Sequence, residues 1–149
     1  MRKKYFLGID PGNYKIGIAV VDQNKQLVYK NILKNINILD PLYSIIEEYD
    51  IEEVAIGNGG NYKKIMGIVN VIKIARNNQK KRLEIYVVDE KNSSIEARKI
   101  FVDKEKNIFK KIISYFQSIF IPLDDYSAFV IICRFLSSKG FVKKQTKSI

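Results

Sequence analysis

Three points in the sequence put a carboxylate where one element ends or another begins. They are Asp10 before Pro11-Gly12-Asn13, Asp89-Glu90 after the apolar run 83–88, and Asp124-Asp125 after Pro122-Leu123. Open α/β sheets build their sites at strand ends. Acids gathered from three such points supply hard oxygen ligands for Mg²⁺ or Mn²⁺. Two such ions can activate a water and neutralise the leaving oxygen in phosphodiester cleavage. The inventory excludes the other common chemistries: there is no His and a single cysteine, Cys133. That removes a zinc site, a Cys–His pair, a Ser–His–Asp triad and any internal disulfide. Each acid also has a plainer reading. Asp10 can start a turn with Pro11, Asp89 and Glu90 can be solvated loop charges, and Asp124 or Asp125 can be a helix N-cap.

The charge balance points to the substrate. Lys and Arg total 26 against 16 Asp and Glu, a formal net charge of +10 in 149 residues. This is the footprint of a phosphate-binding surface, although a Lys-, Ile- and Asn-rich composition is also what an AT-rich genome encodes in any protein. Lys15, Lys63 and Lys64 are the candidate backbone contacts, with Asn58 from the Gly57-Asn58-Gly59-Gly60 loop. That loop has the look of a phosphate cradle but lacks the following Lys-Ser/Thr of a P-loop. Its simpler duty is a tight turn that lets another backbone approach closely. Lys63 and Lys64 are equally what a solvated helix face carries.

The elements that must position these residues read as follows. Runs 5–10, 15–22 and 26–33 are apolar or β-branched and are joined by short turns, which makes an antiparallel meander. Asp40 as a cap, with Pro41 at the first position, opens a helix carrying Leu42, Ile45, Ile46 and Tyr49. A short buried strand at 53–57 follows. A helix over about 62–78 has Ile65, Ile68, Val69, Ile72 and Ala75 on one face and Lys63, Lys64, Lys73 and Arg76 on the other. Residues 83–88 form the fifth strand. Helices are expected from Ser93 or Ser94 through Phe101, over 107–120, and from about 124 to 138, the last apolar enough to pack on the sheet. The order βββ-α-β-α-β-α-α-α predicts an α/β domain over 1–140, a mixed five-stranded sheet with helices on both faces, and a frayed basic tail over 141–149. No apolar run reaches the ~20 residues of a membrane-spanning helix. The basic, then briefly apolar start makes a poor signal peptide, so a cytoplasmic protein with no membrane partner is expected.

Gly8-Ile9-Asp10-Pro11-Gly12 followed by Lys15-Ile16-Gly17-Ile18-Ala19 resembles the opening of the YqgF family, also called RuvX. These are nucleases assigned to pre-16S ribosomal RNA processing or Holliday junction resolution, and relatives of the resolvase RuvC. Tyr86-Val87-Val88-Asp89-Glu90 with Ser93, Ser94, Glu96 and Ala97 is similar to the family's segment after its fifth strand, and Asp125-Tyr126-Ser127-Ala128 to its last motif. The likeness runs in order from about residue 5 to 137. It implies a ribonuclease H-like fold and a metal-dependent endonuclease with Asp10, Glu90 and Asp125 as catalytic ligands, helped by Asp124 or Asp89. It also implies Mg²⁺ or Mn²⁺ as cofactor, structured RNA or branched DNA as partner, and a monomer or homodimer.

The sequence departs from the RuvC pattern at two places. RuvC-like enzymes carry a glutamate at the end of the fourth strand, where this chain has Gly57-Asn58, as YqgF proteins do. RuvC also has two aspartates spaced by three in its last helix, whereas Asp124 and Asp125 are adjacent. Ala55-Ile56-Gly57-Asn58-Gly59 further resembles the YqgF-like domain of Tex, a nucleic-acid-binding protein, so a non-catalytic binding module is the alternative expectation. The apolar stripe over 107–120 is compatible with a dimer surface or with a core-packing insert.

Overall fold

The computed structural model describes residues 2–91 and 124–146, without the side chains of 124, 125 and 139–146. The helices expected from Ser93 or Ser94 through Phe101 and over 107–120 lie outside the described residues.

Five strands form one sheet in the order β3-β2-β1-β4-β5. The strands are β1 (Tyr5–Pro11), β2 (Lys15–Asp22), β3 (Leu27–Lys34), β4 (Glu53–Gly57) and β5 (Glu84–Val88). β1 pairs antiparallel with β2, and β2 with β3, while β1, β4 and β5 are mutually parallel. The short links at 12–14 and 23–26 permit only antiparallel neighbours, and β4 and β5 each return parallel through a helical crossover. The sheet expected from sequence is therefore the observed one, with every strand bound within a residue of its prediction.

The two faces of the sheet are filled differently. On one, Leu7, Ile9, Ile16, Ile18, Val20, Val54 and Ile56 meet helix α1 (Leu39–Glu48) and helix α2 (Tyr62–Asn78) in a large continuous core. On the other, the long helix α3 (Asp124–Thr146) lies against Phe6, Val21 and Ala55 through Ile131, Ile132 and Phe135. Strand alternation assigns Leu7 and Ile9 to the first face and Phe6, Gly8 and Asp10 to the second. α3 approaches closely because β1 has no side chain at Gly8. A Cβ there would run into the Ala128 carbonyl oxygen and sit 2.8 Å from the Ile132 Cβ.

Three local expectations change. α1 begins at Leu39, with Ile38 at the cap position and no capping side chain. Asp40 and Pro41 instead fall inside the first turn, where an acid suits the helix dipole and a missing N–H loses no bond. Arg76, expected on the polar face of α2, is fully buried. It lies four residues after Ile72 and seven after Val69, which is the buried face by helical period. Its guanidinium donates to Glu47 at 2.6 Å and to Asp50 at 3.3 Å. Lys81 donates to Glu47 as well, and its hydrogen bond, with that of Arg76, holds the Glu47 carboxyl below the usual carboxylate range against partial burial. The last helix, expected to end near 138, runs on to Thr146. Gly140 costs a helix only about 1 kcal/mol, and lysines near a C-terminus suit the dipole. Among the described residues no helix is long and apolar enough to cross a membrane.

Candidate active site

The C-terminal ends of the parallel strands β1, β4 and β5 share one edge of the sheet. Asp10 stands one residue past the Ile9–Ile56 pair, beside Gly57 on the neighbouring strand. Strand axes are ~4.8 Å apart. Asp10 is half-buried and lies on the α3 face. Gly57 faces α3 too, since a Cβ there would come 2.8 Å from the Ile131 Cδ1.

Glu90 fills the room that Gly57 leaves. A Cβ on Gly57 would strike Glu90 Oε2 and one on Gly59 would strike Glu90 Oε1, so the carboxylate from beyond β5 lies folded back over the end of β4. That brings it one strand away from Asp10. Any side chain at position 57 or 59 would evict it. Oε2 is buried and, among the described residues, has no hydrogen-bond partner. A carboxylate oxygen withdrawn from water without a donor is costly, and cation ligation is the usual remedy.

Asn58 holds this arrangement. Its backbone N–H donates to the Val88 carbonyl at 2.9 Å, and its Oδ1 accepts from the Glu90 N–H at 3.2 Å. The residue expected to meet nucleic acid is thus also a clip between the β4 and β5 ends. Asp89 is turned elsewhere. Its Oδ1 accepts from the Lys91 N–H at 3.0 Å and its carbonyl accepts from Arg134 Nη1 at 3.0 Å. Of the two adjacent acids, Glu90 is the one aimed at the Asp10 edge.

The third acidic point belongs to α3. Asp124 and Asp125 occupy its first turn, one turn before Ala128, which packs on β1 two residues short of Asp10. The helix axis therefore carries its N-terminal turn on the same face as Asp10 and Glu90. The side chains of Asp124 and Asp125 lie outside the described residues. Among the described residues no three acidic or cysteine side chains group closely enough to hold a metal ion. A donor set of Asp10, Glu90 and an acid from α3 would be all oxygen, which suits Mg²⁺ or Mn²⁺.

A family model described as RuvX, Holliday junction resolvase, matches residues 4–138. The chain belongs to the RuvX family. Two solved structures resemble it in fold. One is T. thermophilus RuvC in complex with Holliday junction substrate, at 17% identity and TM-score 0.58, covering 86% of this chain and 89% of that one. The other is the Thermus thermophilus RuvC structure, at 14% identity and TM-score 0.52, covering 85% and 89%. No protein with a curated description matches the sequence. The ribonuclease H-like architecture that the family resemblance implied is the fold observed. Where RuvC-like enzymes are expected to place a glutamate at the end of β4, this RuvX chain has a glycine that admits Glu90.

The lysines expected to meet nucleic acid surround the same edge. Lys15 opens β2, and Lys63 and Lys64 lie exposed on the first turn of α2. Lys64 Nζ also donates to Asn35 Oδ1 at 3.2 Å. An ammonium has three donors, so this bond leaves two for a phosphate. Asn35 and Arg134 escaped the sequence reading. Neither belongs to a motif or carries a periodic signal, and their roles depend on contacts between distant elements.

Proposed function

We propose that the chain is a metal-dependent endonuclease that cuts phosphodiester bonds in branched or otherwise structured nucleic acid. Asp10, Glu90 and Asp125, with Asp124 beside it, hold one or two Mg²⁺ or Mn²⁺ ions. The observation that carries this reading is the inward Glu90 carboxylate, with a buried oxygen lacking a donor among the described residues, one strand from Asp10. The ions supply charge neutralisation at the phosphoryl and leaving oxygens. The chain's own residues do the rest. Asn58 fixes Glu90 by accepting the Glu90 backbone N–H on its Oδ1, and Gly57 and Gly59 keep the carboxylate's seat open. Lys15, Lys63 and Lys64 steady the phosphate backbone, giving affinity that falls with salt. With no His in the sequence, proton transfer to the leaving oxygen falls to water.

The RuvC relative was solved on a Holliday junction, which makes four-way DNA the first substrate to try and a precursor 16S rRNA end the second. The test is cleavage of both, and of plain duplex, with Mg²⁺ or Mn²⁺, by the wild type and by Asp10→Asn. The expected outcome is metal-dependent cleavage that drops about a thousandfold in the variant, as loss of several kcal/mol of charge stabilisation implies, while binding persists. Cleavage by Asp10→Asn at the wild-type rate would sink the catalytic assignment. Salt-sensitive binding without any cleavage would instead identify a binding module of the Tex type.

A further inference from the structure

The turn that follows Asp10 is held more firmly than a surface link requires. Asn35 is buried at 6% exposure, and its amide donates to the carbonyls of Gly12 at 2.8 Å and Asn13 at 3.2 Å. Its backbone N–H donates to the Tyr14 carbonyl at 2.8 Å. Three consecutive turn residues are thus gripped by one buried asparagine, whose own oxygen accepts from Lys64. The loop before α2 braces the same turn: Gly60 sits at φ +46° against the Pro11 carbonyl, too close for a side chain. Yet the side chain this clamp presents is not packed into the described core. Tyr14 is 90% exposed.

A single exposed aromatic residue is ordinary. A rigidly mounted one beside a candidate active site, among four lysines, is not. The three segments that meet here, 11–15, 34–37 and 58–64, contain Lys15, Lys34, Lys63 and Lys64 and no acidic residue. Lys15 and Lys34 face each other across β2 and β3. Tyr14 is four residues from Asp10, so its Cα lies within about 14 Å of the acid's even if the chain were fully extended. That is about four steps of a nucleic-acid strand at ~3.4 Å each. An aromatic ring among lysines is the arrangement that stacks a base while cations hold the backbone.

We propose that Tyr14 is a base-stacking residue, whose ring receives an unpaired or branch-point base of the strand that reaches the Asp10–Glu90 edge. The inference rests on the nucleic-acid reading above and adds to it a preference for unstacked bases over continuous duplex. Duplex interiors offer no free base face, so the ring discriminates by structure rather than sequence.

The test is anisotropy binding, in chelator, of a four-way junction, a single strand and a continuous duplex to the wild type, Tyr14→Ala and Tyr14→Phe. Tyr14→Ala is expected to bind the junction and the single strand about 5- to 100-fold more weakly. Its affinity for duplex should change less than twofold and its salt slope should not change, because no charge is removed. Tyr14→Phe should bind as the wild type does. The ring is absent from the described core clusters, so the variants should melt at the wild-type temperature. Equal affinities of wild type and Tyr14→Ala for the junction would overturn the stacking role alone. So would a uniform loss on all three ligands, or a loss reproduced by Tyr14→Phe. Failure of the wild type to bind any of the three would overturn the nucleic-acid reading itself and this inference with it.

Discussion

The two faces of the sheet solve opposite problems. The face under α1 and α2 is thick, built from Leu7, Ile9, Ile16, Ile18, Val54 and Ile56 against Leu42, Ile46, Ile65, Val69 and Ile72, all essentially inaccessible. The face under α3 is thin at its centre, with Gly8, Ala55 and Gly57 beneath Ala128 and Ile131. Bulky side chains on the first face bury the apolar area that stabilises the domain. Absent ones on the second let a helix come down onto β1 and leave a seat for Glu90. On the proposed reading, stability and chemistry fall on opposite sides of the same five strands, and substitutions should separate them.

The largest effect on folding should come from the thick face. Ile46→Ala, at a fully buried position in α1, is expected to lower unfolding free energy by about 2–5 kcal/mol. Cleavage at a temperature where the variant is folded should stay near the wild-type rate. Urea denaturation alongside a cleavage assay checks both, and a variant that folds fully but does not cut would break the division of labour.

Gly8→Ala reverses the emphasis. Its Cβ would collide with the Ala128 carbonyl, so α3 must lift. Overpacking of this kind costs about 1–3 kcal/mol. Cleavage should fall more than stability does, because the first turn of α3 moves away from Asp10. Loss of stability with undiminished cleavage would show that α3 does not need its close approach.

Much of this contrast is visible in the sequence. The meander, the two crossover helices and the order of acidic points follow from short turns, period changes and strand-end position. The periodicity even contains the burial of Arg76, four residues after Ile72, but its charge argues for solvent and outweighs the spacing. Packing decides the matter, because Glu47 in the last turn of α1 and Asp50 just beyond it meet it there. Asn35 and Arg134 could not be read in the same way. A buried asparagine at a strand end looks like any polar loop residue until Gly12 and Asn13 are known to sit beside it. The inward turn of Glu90, against the outward Asp89, likewise depends on the glycines at 57 and 59, which belong to another strand's loop.

Glu90→Gln sharpens the contrast with a smaller change. Glu90 Oε2 is buried without a donor among the described residues. The variant should melt in chelator at or above the wild-type temperature, because the buried oxygen has no hydrogen bond to lose. Adding Mg²⁺ or Mn²⁺ should raise the wild-type melting temperature and leave the variant's nearly unchanged, since binding to the native state alone stabilises it. A variant that melts below the wild type in chelator would mean that Glu90 serves the fold rather than the site.

The mildest probe alters no residue. Cys133 lies on α3, where burial pushes its thiol up to about 11, opposed only weakly by Lys25. The thiolate is the reactive form, so at pH 8 the native thiol should be alkylated about a hundredfold more slowly than an unfolded one titrating near 9. The sign of the pH dependence follows. The native rate should keep climbing about tenfold per pH unit up to about 11, whereas the unfolded rate should level off above its own, lower value. Because the folded state holds the proton more tightly, this group favours folding below the unfolded pKa and loses that contribution as pH rises through the native one. The measurement also reads the docking of α3 directly. A helix resting loosely on the thin face would expose Cys133 part of the time and erase most of the hundredfold gap. A gap that survives in Ile46→Ala but shrinks in Gly8→Ala would place the disturbance on the α3 side of the sheet, where the acids are delivered.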